Sequence, residues 1–264
     1  MKHALHFPRF GKTLLAAALV AMAGTGCATD QSLLGKLGNV FGSPAQAKSA
    51  AAGKAIEGDI TSTKALEFLY GNQAKASPVF DAKYTEQGKD KYILLAEEDG
   101  GLLLSAAVFV KEGGQWTLEA ENRNIDYDLA DGKANFGCFL RHDEKPVLAR
   151  VGPDKHGILI HAGGGGHGNS VCPTVLLPDG GSIRSVLIGI FEMQISSGKA
   201  WGEDDARASF DEQSAGEYYD AVVRYIDIDN NSREASRRFQ FRNGVYHKVA
   251  TPKAGKKAGK KKRK

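Results

Sequence analysis

Cysteine is scarce in this chain: three residues in 264, at Cys27, Cys138 and Cys172, leave room for one disulfide and one odd thiol. No C-x-x-C or H-E-x-x-H spacing begins a structural or catalytic zinc site. The G-x-S-x-G turn that carries a hydrolase nucleophile is missing, and so is a phosphate loop closing on Lys and Ser or Thr. The apolar run "TLLAAALVAMA", Thr13 to Ala23, falls well short of the roughly 20 residues a membrane-spanning helix needs.

Charge is segregated. The formal net charge is +4, yet residues 1–27 carry Lys2, Arg9 and Lys12 with no acid, a local +3. Residues 253–264 carry eight Lys or Arg and no acid, a local +8. The difference, 4 − 3 − 8, leaves −7 for residues 28–252, so the body is acidic and the basic balance belongs to the ends. With 42% hydrophobic residues the chain can build one good-sized core, which excludes disorder throughout.

A cationic leader followed by a short apolar run has the form of an export signal, expected over residues 1–26. "AGTGC" then leads directly to Cys27, and this stretch resembles the lipobox of bacterial lipoproteins. The resemblance covers the leader alone. It implies diacylation of the Cys27 thiol, cleavage before it, and a membrane contact through the lipid. Ala28 in the next position implies the outer membrane, with the body facing periplasm or surface. The alternative is ordinary cleavage after Ala21 to Ala23, giving a soluble periplasmic or secreted protein.

Lipidation of Cys27 would remove the odd thiol, and Cys138 and Cys172 could then pair in an oxidising compartment. The other reading keeps both as small buried hydrophobes. Residues 27–59, poor in bulky apolar side chains after Phe41, read as a flexible tether from the lipid to the body.

From residue 60 to 250 the signal is strands stopped by glycine turns. One short helix is expected first, over "STKALEFLYG" (Ser62 to Gly71), with a Ser/Thr start and a glycine stop. "QWTLEAE" alternates with Trp116, Leu118 and Ala120 on one face. "VLIGIF" (Val186 to Phe191) is apolar on both faces and reads as central. Turns such as Asp179-Gly180-Gly181 and Asn243-Gly244 suit positive φ. The pattern predicts one antiparallel all-β domain, a sandwich or barrel-like fold.

"HAGGGGHG", His161 to Gly168, satisfies G-x-G-x-x-G only because it is a run of glycines. The segment after it, with Val171 and Pro173, is no helix for a pyrophosphate. No cofactor is expected. His161 and His167 could share a metal if the loop folded back, and the plainer reading is a mobile hairpin loop with exposed histidines. "DIDNNSRE" from Asp227 begins like a calcium loop but has Ser232 and Arg238 where Gly and Glu belong, so it reads as a turn. "GEDDARASFDEQSAGE" (Gly202 to Glu217) reads as a polar connector.

The last residues, 251–264, form a low-complexity basic tail without an apolar face, expected to be disordered. Lys253, Lys256, Lys257, Lys260, Lys261, Lys262, Arg263 and Lys264 would meet anionic lipid or an envelope polyanion. Nucleic acid is not an expected partner of an exported chain. These readings together predict a noncatalytic envelope lipoprotein with a binding or structural β domain. The alternatives are an exported hydrolase or metal-dependent enzyme using His161 and His167, and a secreted inhibitor or effector-like binder.

Overall fold

The computed structural model describes residues 54–73, 76–98, 103–125, 139–141, 143–165 and 168–250. Among them the body is all-β, with one short helix. β1 (Ile56–Glu57) precedes α1 (Ser62–Tyr70); then come β2 (Ser77–Glu86), β3 (Lys89–Glu98), β4 (Leu103–Glu112) and β5 (Gln115–Ile125) as a meander. β6 (Phe139–Leu140), β7 (Val147–Gly152), β8 (Lys155–Gly165), β9 (Gly168–Asp179) and β10 (Ser182–Leu187) make the middle of the fold. A last meander is β11 (Phe191–Ser196), β12 (Lys199–Asp211), β13 (Asp220–Asp227), β14 (Arg233–Arg242) and β15 (Val245–Lys248).

All fifteen strands join one hydrogen-bonded sheet. The expected antiparallel pairing holds everywhere except between β5 and β10, which meet in parallel at Ser182 and Glu121, so the sheet is mixed. Those two strands are separated in sequence by β6 to β9, and a long connection is what parallel neighbours require.

The sheet folds over itself, and alternation sends successive residues to different cores. In β8, Ile158 and Ile160 pack with Ile93, Leu95 and Val108, whereas Leu159 packs with Phe191, Val223 and Phe239. In β9, Leu176 joins the first group and Val175 and Leu177 the second. β8 and β9 are therefore covered on both sides, which is why they are apolar on both faces. β3 and β4 behave likewise: Tyr92, Leu94, Ala107 and Phe109 turn to a third core, closed by Ala65, Leu66 and Leu69 of α1.

α1 forms where its caps allow. The Thr61 hydroxyl accepts from the Lys64 N–H at 3.3 Å, and Gly71 at φ 73° ends the helix. The turns at Gly180-Gly181 and Asn243-Gly244 have positive φ as the sequence predicts.

Four local expectations need correction. Ile56 and Glu57, assigned to the tether, pair with Trp116 and Gln115, and Ile56 and Ile60 are buried, so the body starts earlier. Ala120 does not share a face with Trp116 and Leu118. Val108 pairs with Ala120 but Phe109 with Leu118, so a bulge at Glu119 turns Ala120 into the other core. The run Val186 to Phe191 is two strands: β10 ends at Leu187 and β11 starts at Phe191. A Cβ on Gly189 would lie 2.9 Å from the Phe239 ring, so the chain turns there in close contact with β14. Finally, Gly202 to Asp211 is strand β12, not connector: despite four acids, its alternate Ala206, Ala208 and Phe210 turn to the core.

Candidate functional site

The glycine run is largely strand. Gly163, Gly164 and Gly165 pair with Val171, Ser170 and Asn169, and a Cβ on Gly163 would meet the Arg141 side chain at 2.9 Å. His161, expected on an exposed loop, lies inside β8 and is buried at 8% relative exposure. Its neighbour across the ladder is Pro173, which sits where the partner of β9 changes from β10 to β11. A proline lacks the N–H a continuous ladder would use.

Both imidazole nitrogens are engaged. Nδ1 lies 3.0 Å from Glu144 Oε2 in an ion-pair contact, and Nε2 accepts the Ala208 backbone N–H at 3.3 Å. A ring nitrogen that accepts carries no proton, so the imidazole is neutral in this arrangement. Burial pushes the His161 pKa below its ordinary value; Glu144 opposes this, while Arg141 and Arg207 reinforce it. The ring ties three elements together: the segment after β6, β8, and the part of β12 beyond its register shift at Asp204 to Arg207.

His161 stands at one end of a groove of about 550 Å³. Among the described residues its walls are β7, which pairs only with β8, and the Arg207 to Asp211 part of β12, which pairs only with β13. Val147, Ala149, Leu159, Ala208 and Phe210 give it an apolar lining. Opposite charges meet across it at both ends: Arg150 Nη1 to Glu212 Oε2 at 3.3 Å, and Arg207 Nη2 to Glu144 Oε1 at 3.8 Å. That volume lies within the ~300–1,000 Å³ of small-molecule sites.

A second polar cluster is structural in character. Lys91, buried in β3, contacts Glu86 at 2.6 Å and Glu119 at 2.8 Å. Burial lowers its pKa, but the bonds to Glu119 and Glu86 outweigh burial and hold it raised. Glu86 also accepts the His156 backbone N–H at 2.8 Å, so the network links the β2–β3 and β7–β8 hairpins.

Of the residues singled out from sequence, Cys27, Cys138, His167 and the tail from Lys253 to Lys264 lie outside the described residues. Cys172 is buried in β9 opposite Ala162, whose other neighbour is Leu140, two positions beyond Cys138. Acids of the segment read as a polar connector are occupied: Asp204 accepts from Asn169, Asp205 pairs with Arg207, Asp211 with Arg238 and Glu212 with Arg150. Among the described residues no three His, Cys, Asp or Glu side chains are grouped to hold a metal. Asp227 and Asp229 bind backbone N–H groups of Asn230 and Gly202, as turn residues do.

Glu144, Arg207 and Arg150 were not anticipated. No local spacing marks "RHDEKPV", and only the approach of β12 to β7 and β8 gives these side chains a common groove.

The chain matches no protein-family model, no curated protein and no solved structure.

Proposed function

We propose that this chain is an envelope lipoprotein, acylated at Cys27, whose β body binds an amphiphilic ligand in the β7–β12 groove without transforming it. The carrying observation is the groove itself, apolar along its floor and flanked at both ends by arginine–glutamate pairs. Such a lining suits a ligand with an extended apolar part and polar ends. The noncatalytic reading is supported by His161: its Nε2 already accepts the Ala208 N–H, so taking a proton or ligating a metal there requires that bond to break.

Two measurements test the two halves separately. Intact mass of native mature protein should show the acyl mass on a chain beginning at Cys27; an unmodified chain overturns the anchor. An anilinonaphthalene dye should bind the parent and lose affinity about tenfold or more in Phe210→Glu, which places a charge on the apolar floor. A dye signal indifferent to that change overturns the groove.

The basic tail, Lys253 to Lys264, is read as a second, salt-sensitive contact with anionic lipid or an envelope polyanion. Deletion of residues 253–264 should abolish the salt dependence of binding to anionic vesicles. The metal-dependent enzyme has one observation in its favour, the carboxylate of Glu144 beside His161 Nδ1. Zinc stabilisation of metal-stripped protein, lost when His161 and His167 become alanine, would restore that reading.

A further inference from the structure

We propose that the free edge of β2 pairs with the same edge of a second copy of this chain, as a two-fold antiparallel strand pair centred on Ala82. β2 ends the sheet and, among the described residues, pairs only with β3. A ten-residue edge exposes rows of N–H and C=O that folds normally cover or blunt. Pro78 and the register shift between Pro78 and Phe80 blunt its first residues. Beyond them the edge carries Phe80, Asp81, Ala82, Lys83 and Tyr84 in order: aromatic, acidic, small, basic, aromatic.

That order is self-complementary. Run antiparallel about Ala82, it sets Asp81 against the partner's Lys83 and Lys83 against the partner's Asp81. On the other face Phe80 meets the partner's Tyr84 and Tyr84 meets the partner's Phe80. Opposite charges and aromatic pairs are the cross-strand combinations that stabilise a ladder. The same surface serves both copies, as a closed two-fold interface requires.

The backbone phase agrees with this register. β2 and β3 are joined by a two-residue turn, Gln87 and Gly88 at φ 52° and 74°, so Glu86 and Lys89 form a hydrogen-bonded pair and the pairs alternate from there. Phe80, Ala82 and Tyr84 use their N–H and C=O on β3; Asp81, Lys83 and Thr85 turn theirs to the free edge. In the proposed register the outward residues meet each other, and each Asp–Lys pair exchanges two backbone hydrogen bonds. Ala82 meets the partner's Ala82 at a non-hydrogen-bonded position, where Cα atoms approach to ~4.5 Å and a small side chain fits.

Nearby registers fail. A slip of one residue sets outward groups against inward ones. A shift to the next permitted register sets Asp81 against the partner's Asp81, or Lys83 against the partner's Lys83, and like charges facing each other are unfavourable. The present contacts of the two charges are compatible with pairing: the Tyr92 hydroxyl donates to Asp81 at 2.9 Å, and Lys83 bridges Asp59 at the surface, their side chains 50% and 75% exposed. A strand pair of this length buries less than the ~1,200 Å² of stable complexes, so the dimer is a weak one that forms at high local concentration.

Sedimentation of the full chain over a concentration series, in one detergent buffer, tests the proposal. The parent should dimerise, and Lys83→Asp and Asp81→Lys should each raise the dimer Kd about tenfold or more, because each creates two like-charge pairs. An equimolar mixture of the two variants should recover parental association, since every facing pair is again opposite in sign; a folding defect would not be rescued by mixing. Ala82→Cys should give a disulfide-linked dimer that the parent and Thr85→Cys do not. A parent that stays monomeric, charge reversals without effect, a mixture without rescue, or Ala82→Cys no more cross-linked than Thr85→Cys overturns it.

Discussion

Glu144 Oε2 lies 3.0 Å from His161 Nδ1, while the opposite nitrogen of the same ring receives the Ala208 N–H. A protonated ring would point N–H at N–H on the Ala208 side, so the strut holds only when His161 is neutral.

This makes stability pH-dependent with a definite sign. The folded His161 pKa is lowered, chiefly by burial, from the ordinary ~6.5, so the unfolded chain binds the proton more readily. The contribution is complete above that value and is lost as pH falls from ~6.5 towards the folded pKa. Urea midpoints between pH 8 and 5 should fall more steeply for the parent than for His161→Gln; identical slopes would remove His161 from the account.

Lys91, its own side chain 7% exposed, pairs with a buried carboxylate, Glu86 at 10%, and with Glu119, whose side chain is 37% exposed. Lys91→Met leaves those acids without a counterion and should lower unfolding free energy by ~3–5 kcal/mol at neutral pH. Adding Glu86→Gln and Glu119→Gln should recover much of that loss. Denaturant titration of both variants measures it.

Gly189 has no room for a methyl group beside Phe239. Gly189→Ala should destabilise by ~1–3 kcal/mol through overpacking, and by less in a Phe239→Leu background. A double-mutant cycle with additive terms would show that the ring is not the obstacle.

The two tryptophans report different surroundings: Trp116 is 3% exposed and Trp201, on the β11–β12 hairpin, 37%. Iodide should quench one component of native emission, and Trp201→Phe should abolish it. Quenching that persists in the variant would contradict the burial of Trp116.

Much of the architecture could be read along the chain because it follows from local rules. The Ser/Thr and glycine boundaries of α1, the glycine turns and the period-two pattern of many strands each depend on a few adjacent residues. The errors came where distant residues act. The bulge at Glu119 shows only against the register of β4, and the apolar run is interrupted at Gly189, where the Phe239 ring approaches closely. The groove was illegible for the same reason: Glu144, Arg150, Arg207 and Phe210 belong to segments with no shared spacing.

Composition and periodicity by themselves determined the strand content, the short helix at Ser62–Tyr70 and the placement of charge at the two ends, since each is a property of neighbouring residues. Tertiary structure alone decided that β8 and β9 lie between two cores, that His161 is a buried strut, and that β7 and β12 leave a groove between them. Side-chain chemistry can be read locally; which side chains share a space depends on how the sheet folds over itself.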